Sequence, residues 1–287
     1  MLRSLSYLVL LLLHSLWCTS VFASKLETVT TTIVQGATQA TSVYVDNVRH
    51  VLYFGAARSL GRVTLGENCG NVPLVSQIAA GVKGQIGSQD GVGSAARFAD
   101  IHGMDGTADG MTLYCADYHN YVIRKVSISR AGGGDGAVFN VTTIAGSTAG
   151  SLLDGVGRAA RLAPIGLALN KAESALYIGD SDNAAIRRIN LSTMLVETLV
   201  KNSSATPMLV PAFLQLTPDG QFVIFADTDI QRIARVSSTM GSATTMENIA
   251  GALGQSGVLD GMNGLSARFS SPRGLALSPD WIDAVRW

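Results

Sequence analysis

Charge is scarce in this chain, and it cancels. Asp, Glu, Lys and Arg make up 15% of the 287 residues, with 21 of each sign. No Lys/Arg run marks a polyanion surface, so a nucleic-acid partner is not expected. Cysteine is limited to three residues and proline to seven. That is too little sulfur for a disulfide-stapled miniature fold. Past residue 23 no apolar run approaches the roughly 20 residues that a helix needs to cross a bilayer. Catalytic signatures are missing too. Only His50, His102 and His119 follow the leading segment. The chain has no His-Glu-x-x-His, no Gly-x-Ser-x-Gly elbow, no phosphate loop and no dinucleotide fingerprint. Gly132-Gly-Gly134 reads as a loop between strands. No catalytic residue, metal ligand or cofactor is assigned.

The leading segment has its own logic. Arg3 is followed by an apolar stretch from Leu5 to Trp17, then by Val21-Phe-Ala23, which places small residues where signal peptidase needs them. Residues 1–23 are therefore read as a signal peptide and 24–287 as the mature domain. Cys69 and Cys115 remain as one possible disulfide in an oxidising compartment, or as two separate thiols. Three sequons, at Asn140, Asn190 and Asn202, become candidate glycosylation sites on a secreted or cell-surface protein.

Apolar residues reach 47% and glycine 31 residues, which suits many short strands and tight turns. The strands repeat. Ile78-Ala-Ala-Gly81, Ile144-Ala-Gly146 and Ile249-Ala-Gly251 each precede an Asp-Gly segment. These run from Asp90 to Arg97 and Phe98, from Asp154 to Arg161 and Leu162, and from Asp260 to Arg268 and Phe269, the last with one extra residue. Strand-like runs follow at 102–107, 165–170 and 274–279. Then come Leu113-Tyr-Cys-Ala-Asp117, Leu176-Tyr-Ile-Gly-Asp180 and Val223-Ile-Phe-Ala-Asp227, each with an Ile six residues after its Asp. The spacing between these Asp residues is 63 and then 47, a loose period that suits sheets joined by variable loops. Four strands per unit are expected, and one such sheet cannot bury both faces alone. Radial stacking does so, which predicts an all-β propeller.

The motifs Asp117-x-x-Asn120-x-x-Ile123-Arg124 and Asp180-x-x-Asn183-x-x-Ile186-Arg187 resemble the NHL repeat. The resemblance covers about residues 28–280. It implies four full blades, a partial fifth, and an N-terminal strand at 28–33 that completes the last blade. NHL propellers usually have six blades, so the chain reads as truncated after Trp287, and a membrane anchor would have to lie beyond that point. Related propellers include lyases and lactonases with metal sites in the central channel.

Asp117, Asp180 and Asp227 are expected to cap turns through backbone N–H groups. Each Asp-Gly loop is expected to form a turn and a short helical stretch, clasped by its Asp and Arg, with Phe98, Leu162 and Phe269 as plugs between blades. One face collects these loops and turns, and with them an expected ligand surface of Asp90, Arg97, Asp117, His119, Arg124, Asp154, Arg161, Asp180, Asp182, Arg187, Asp227 and Asp229. The expected function is an extracellular scaffold binding protein or glycan, without catalysis and of open oligomeric state. The alternatives are a metal-dependent hydrolase or lyase working in the channel, and a nonfunctional gene fragment.

Overall fold

A computed structural model describes residues 34–35, 40–56, 58–64, 74–130, 136–241 and 246–277. All of these lie in one compact unit, Ile33–Trp287. The signal peptide, the closing strand at 28–33 and Cys69 fall outside the described residues.

The architecture is an all-β propeller of four antiparallel blades. In the first, β1 (Val34–Gln35), β2 (Ala40–Asp46), β3 (Val51–Ala56), β4 (Ser59–Thr64), β5 (Leu74–Val75) and β6 (Gln77–Gly81) follow in turn. The sheet itself has the order β2-β3-β4-β6, while β1 and β5 form a separate parallel pair. The expected fourth strand at 74–78 is thus divided between two sheets. The second blade contains β7 (Gly91–Val92), β8 (Ile101–Gly106), β9 (Thr112–Asp117), β10 (Val122–Arg130) and β11 (Ala137–Gly146). The third contains β12 (Gly155–Val156), β13 (Pro164–Leu169), β14 (Ala175–Asp180), β15 (Ala185–Asn190) and β16 (Leu195–Lys201). The fourth contains β17 (Pro211–Leu216), β18 (Phe222–Asp227), β19 (Arg232–Ser237) and β20 (Glu247–Ala250). In blades two and three the two-residue strands β7 and β12 add a fifth strand on the outer edges of β11 and β16.

The second strand of a blade has no wet face. All six residues of β14 are buried, as are all six of β3. Alternate side chains serve opposite neighbours. Leu113 and Cys115 of β9 pack in one core with Tyr53 and Leu60 of the first blade. Tyr114 and Ala116 pack in another with Leu176 and Ile178 of the third. Tyr177, in turn, shares a core with Val223 and Phe225 of the fourth. Each buried aliphatic or aromatic side chain is worth about 1.5–3 kcal/mol. A blade taken alone would lose that contribution from one face or both.

Glycine sets how closely blades approach. A Cβ at Gly103 of β8 would strike Ile165 O and lie 3.0 Å from Gly166 Cα. A Cβ at Gly166 of β13 would strike Ala212 O and lie 2.9 Å from Phe213 Cα. The inner strands therefore touch backbone to backbone around the axis.

The fifth unit differs from expectation. Residues 274–277 carry no strand; their described tie to the fourth blade is Leu277 N donating to Gln215 Oε1 at 2.8 Å, with Thr228 Oγ1 donating to Pro272 O at 2.9 Å nearby. A first strand needs a second to pair with, and none is present among the described residues.

Candidate binding face

The Asp-Gly loops do form a turn and one helical turn, at Gly93–Ala95, Gly157–Ala159 and Gly264–Ser266. Phe98 and Leu162 are fully buried plugs, as expected. The ionic pairing is not the expected one. Arg97 donates to Ser94 O and Ala96 O of its own loop at 2.5 and 2.7 Å. Arg161 is exposed, and Arg268 likewise donates to carbonyls of its own loop.

Asp90 and Asp154 are bound instead by arginines from third strands. Arg124 of β10 donates to Asp117 Oδ2 at 3.0 Å and Asp90 Oδ1 at 3.1 Å, and to Arg97 O and Gln89 O at 2.9 and 2.8 Å. Arg187 of β15 repeats this with Asp180 at 2.8 Å, Asp154 at 2.7 Å, and Arg161 O and Leu153 O at 3.0 Å. A β-bulge directly before each arginine, at Ile123/Arg124 and Ile186/Arg187, re-aims the side chain into this socket. The Arg124 guanidinium also lies 5.0 Å over the Phe98 ring. The fourth blade has Ala234 after the equivalent bulge, and Arg232 replaces the missing arginine, 3.4 Å from Asp227.

Asp117, Asp180 and Asp227 do accept backbone N–H groups, from Ala99, Ala163 and Val210 at 2.9, 2.7 and 3.0 Å. The groups they cap belong to the preceding inter-blade connection rather than to their own turns. Burial pushes all three carboxyls above the ordinary aspartate value, and hydrogen bonds and the arginines pull part of the way back.

This geometry corrects the expected ligand surface. Asp117, Asp180, Asp227, Arg124 and Arg187 have no exposed surface, so no ligand can touch them. Their charges are consumed in joining strand, loop and blade. Asp90 and Asp154 keep partial exposure but are already paired. Asp182, Asp229, Arg161 and His119 remain exposed.

A patch of which the sequence reading named only His119 and Asp182 lies on the same face. Each second-to-third-strand turn is tied to the end of the preceding connection: Tyr118 N to Asp100 O at 2.9 Å, Ser181 N to Ala163 O at 3.1 Å, and Thr228 N to Val210 O at 3.1 Å. At the second blade this brings aromatic rings together. Tyr118 is 4.7 Å from His119 and 4.9 Å from His102, with Tyr121 at 6.5 Å. His102 Nε2 is 3.1 Å from Asp100 Oδ2, and His119 Nδ1 is 3.6 Å from the same oxygen. The hydrogen bond from His102 is the main reason the Asp100 carboxyl lies below its ordinary value. Tyr118 Oη donates to Asp182 of the next blade at 2.9 Å, and burial with that carboxylate pushes the phenol up to about 12. The one sequence signal for this patch is the aromatic pair flanking His119 and Asn120, directly after the repeated Asp.

Among the described residues, no group of three or more His, Cys, Asp or Glu is placed to hold a metal ion. Asp105 lies in a cleft of about 490 Å³ near the inner strands, lined also by Tyr44, Leu169 and Gln215. Burial raises its carboxyl, although Leu169 N and Gly106 N donate to it at 2.7 and 2.8 Å. Cys115 is buried and forms no disulfide with any described residue; burial pushes its thiol up to about 12. Asn140 is exposed on β11, Asn202 is exposed, and Asn190 accepts from Ser192 N and Oγ at 3.0 and 2.7 Å. No described helix is long and apolar enough to cross a membrane.

No family model matches the chain, and no curated protein matches it. Solved structures do. An auxiliary nutrient binding protein from Bacteroides ovatus superposes with a TM-score of 0.53 at 14% identity, over 80% of this chain and 46% of that one. The periplasmic gluconolactonase of Pseudomonas aeruginosa gives 0.49 at 14%, over 83% and 56%. A chain of the nidogen/laminin complex gives 0.48 at 13%, over 73% and 65%. The chain therefore spans from under half to about two-thirds of the length of these proteins, and at such identity what it shares with the first of them is the β-propeller fold.

Proposed function

We propose that this chain is an NHL-type propeller that enters the secretory pathway and acts outside the cell, or on its surface, as a binding scaffold for a protein or glycan ligand. The observation that carries this reading is the Tyr118–His119–His102 patch, completed by Asp182 from the neighbouring blade. Aromatic faces beside carboxylates suit the alternating apolar and hydroxyl surfaces of a sugar, or a protein loop of mixed character. The buried Asp–Arg sockets support this role by fixing the rim loops on a rigid frame. Similarity to a nutrient binding protein fits the same role. The channel alternative would draw on Asp105, whose carboxylate accepts one backbone N–H at each oxygen and keeps further acceptor sites.

The test is a screen of the purified chain on arrays of glycans and extracellular proteins, repeated with Tyr118→Ala and Asp182→Asn. A ligand whose affinity falls at least tenfold in Tyr118→Ala supports the reading. A ligand bound equally by all three proteins removes this patch from it. Expression in secreting eukaryotic cells, with glycosidase treatment of the Asn140, Asn190 and Asn202 variants, tests the compartment.

A further inference from the structure

The rim patch holds two imidazoles over a single carboxylate. His102 Nε2 and His119 Nδ1 lie 3.1 and 3.6 Å from the same oxygen, Asp100 Oδ2. The rings of Tyr118, His119 and His102 form a closed triangle, with centroids 4.7, 4.9 and 6.3 Å apart. The His119 side chain is 60% exposed and that of His102 24%, so solvent protons reach both. Histidine is the side chain that ordinarily changes charge between about pH 5 and pH 8. Asp100 comes from the connection before β8, His102 from β8, and Tyr118, His119 and Tyr121 from the turn between β9 and β10. Asp182 comes from the matching turn of the third blade, and Arg58, on the turn between β3 and β4, adds its charge from the first. With both histidines neutral, two carboxylates face one guanidinium. With both protonated, three cations face two carboxylates, and the sign of the patch has reversed.

The molecule itself shows what a ring beside a carboxylate accommodates. Arg124 lies 5.0 Å over the Phe98 ring while it pairs with Asp117 at 3.0 Å. Arg235 lies 4.3 Å over the Phe222 ring while its Nε donates to Glu247 at 2.9 Å. In both cases one guanidinium uses an aromatic face and a carboxylate together, which its flat, forked shape allows. The rim patch offers the same two acceptors at the surface. Tyr118 is partly exposed. Asp182 is exposed, and it accepts from the hydroxyls of Tyr118 and Ser181 at 2.9 and 3.3 Å, both on Oδ1. A carboxylate bonded in this way keeps further acceptor sites.

We propose that the rim patch takes an arginine side chain of a partner protein at neutral pH and releases it on acidification. The guanidinium stacks on Tyr118 and pairs with Asp182. Once His102 and His119 are protonated, they are cations held by Asp100 beside the same ring, and they repel the guanidinium from it. The inference rests on the reading of this patch as a binding site, and it names the ligand group and its control.

The probe is Nα-acetyl-arginine methylamide, with the uncharged citrulline analogue as its control. Each is titrated into the full chain at about pH 7.5 and about pH 5.5, on either side of the usual imidazole transition, and followed by NMR of the histidine ring protons. Saturable binding of the arginine probe is expected at the higher pH, weaker by about fivefold or more at the lower, with no binding of the citrulline analogue. Asp182→Asn should weaken the arginine probe. His102→Gln combined with His119→Asn should bring the ratio of the two affinities close to one, whatever the affinity itself. If that double variant does not fold, His119→Asn alone should shrink the ratio. Equal binding of the arginine and citrulline probes, or a pH ratio that the histidine variants leave unchanged, overturns the proposal. So does a failure of the arginine probe to bind. If a ligand from the array screen is still lost in Tyr118→Ala, that failure leaves the patch as a binding site for another ligand; a screened ligand indifferent to Tyr118→Ala removes the patch and the proposal together.

Discussion

A guanidinium sealed between a strand and a loop is costly to bury, and here it is compensated by four acceptors. Arg187 meets two carboxylates and two carbonyls, and only its Nε lacks a partner. Removing one member leaves the others desolvated and unpaired. Arg187→Ala and Asp180→Ala should each cost about 3–5 kcal/mol, read as a lower urea midpoint. The double variant should cost less than the sum, because the two share one network. Asp154 gives a pH test. Burial works to raise its carboxyl, but hydrogen bonds from Thr198 and the Arg187 charge prevail, so it ends below 3.8. An acid depressed in the folded state stabilises above its unfolded value and loses that contribution as pH falls through the folded value. The stability gap between the native protein and Asp154→Asn should therefore be present at pH 7 and shrink below pH 4, as urea titrations at the two pH values would report. The repeated Asp and Arg were legible in the sequence as a pattern. Their partners were not, because an arginine reaching 34 residues back, from Arg124 to Asp90, leaves no local trace.

At the level of the strand, alternation made the blades readable. β9, β14 and β18 follow the repeated motif ending in Asp, and the third strands begin close to where the Ile-Arg motif places them. The split of 74–78 was not readable, because the pairing of Leu74–Val75 with Val34–Gln35 is a long-range choice. Glycine provides the sharpest test at this scale. Gly166→Ala forces a methyl into the Ala212 carbonyl, and relief requires moving backbone, for a cost of about 1–3 kcal/mol. Gly274→Ala points into open space and should change stability by less than about 0.5 kcal/mol. Equal midpoints for the two variants in guanidinium would contradict the close approach of the inner strands.

Across the whole molecule, the blades form a series in which each contacts those beside it. Such arrays open from their ends more readily than from the middle. Amide hydrogen exchange should be slowest in β9 and β14, which are covered on both faces, and faster in β20 and at 251–277. Uniform protection from end to end would argue against a nearest-neighbour series. The propeller itself was legible because repetition reports architecture. The rim patch was legible only as His119 and Asp182, since the Tyr118–Asp182 bond that assembles it joins residues 64 apart in different units.

The odd-and-even division of β9 makes damage directional. Trimming Tyr114 should loosen the joint with the blade that follows and spare the one before, and trimming Leu113 should do the reverse. One strand thus works as a hinge pin shared by two doors, and which door sags tells which side of the pin was filed.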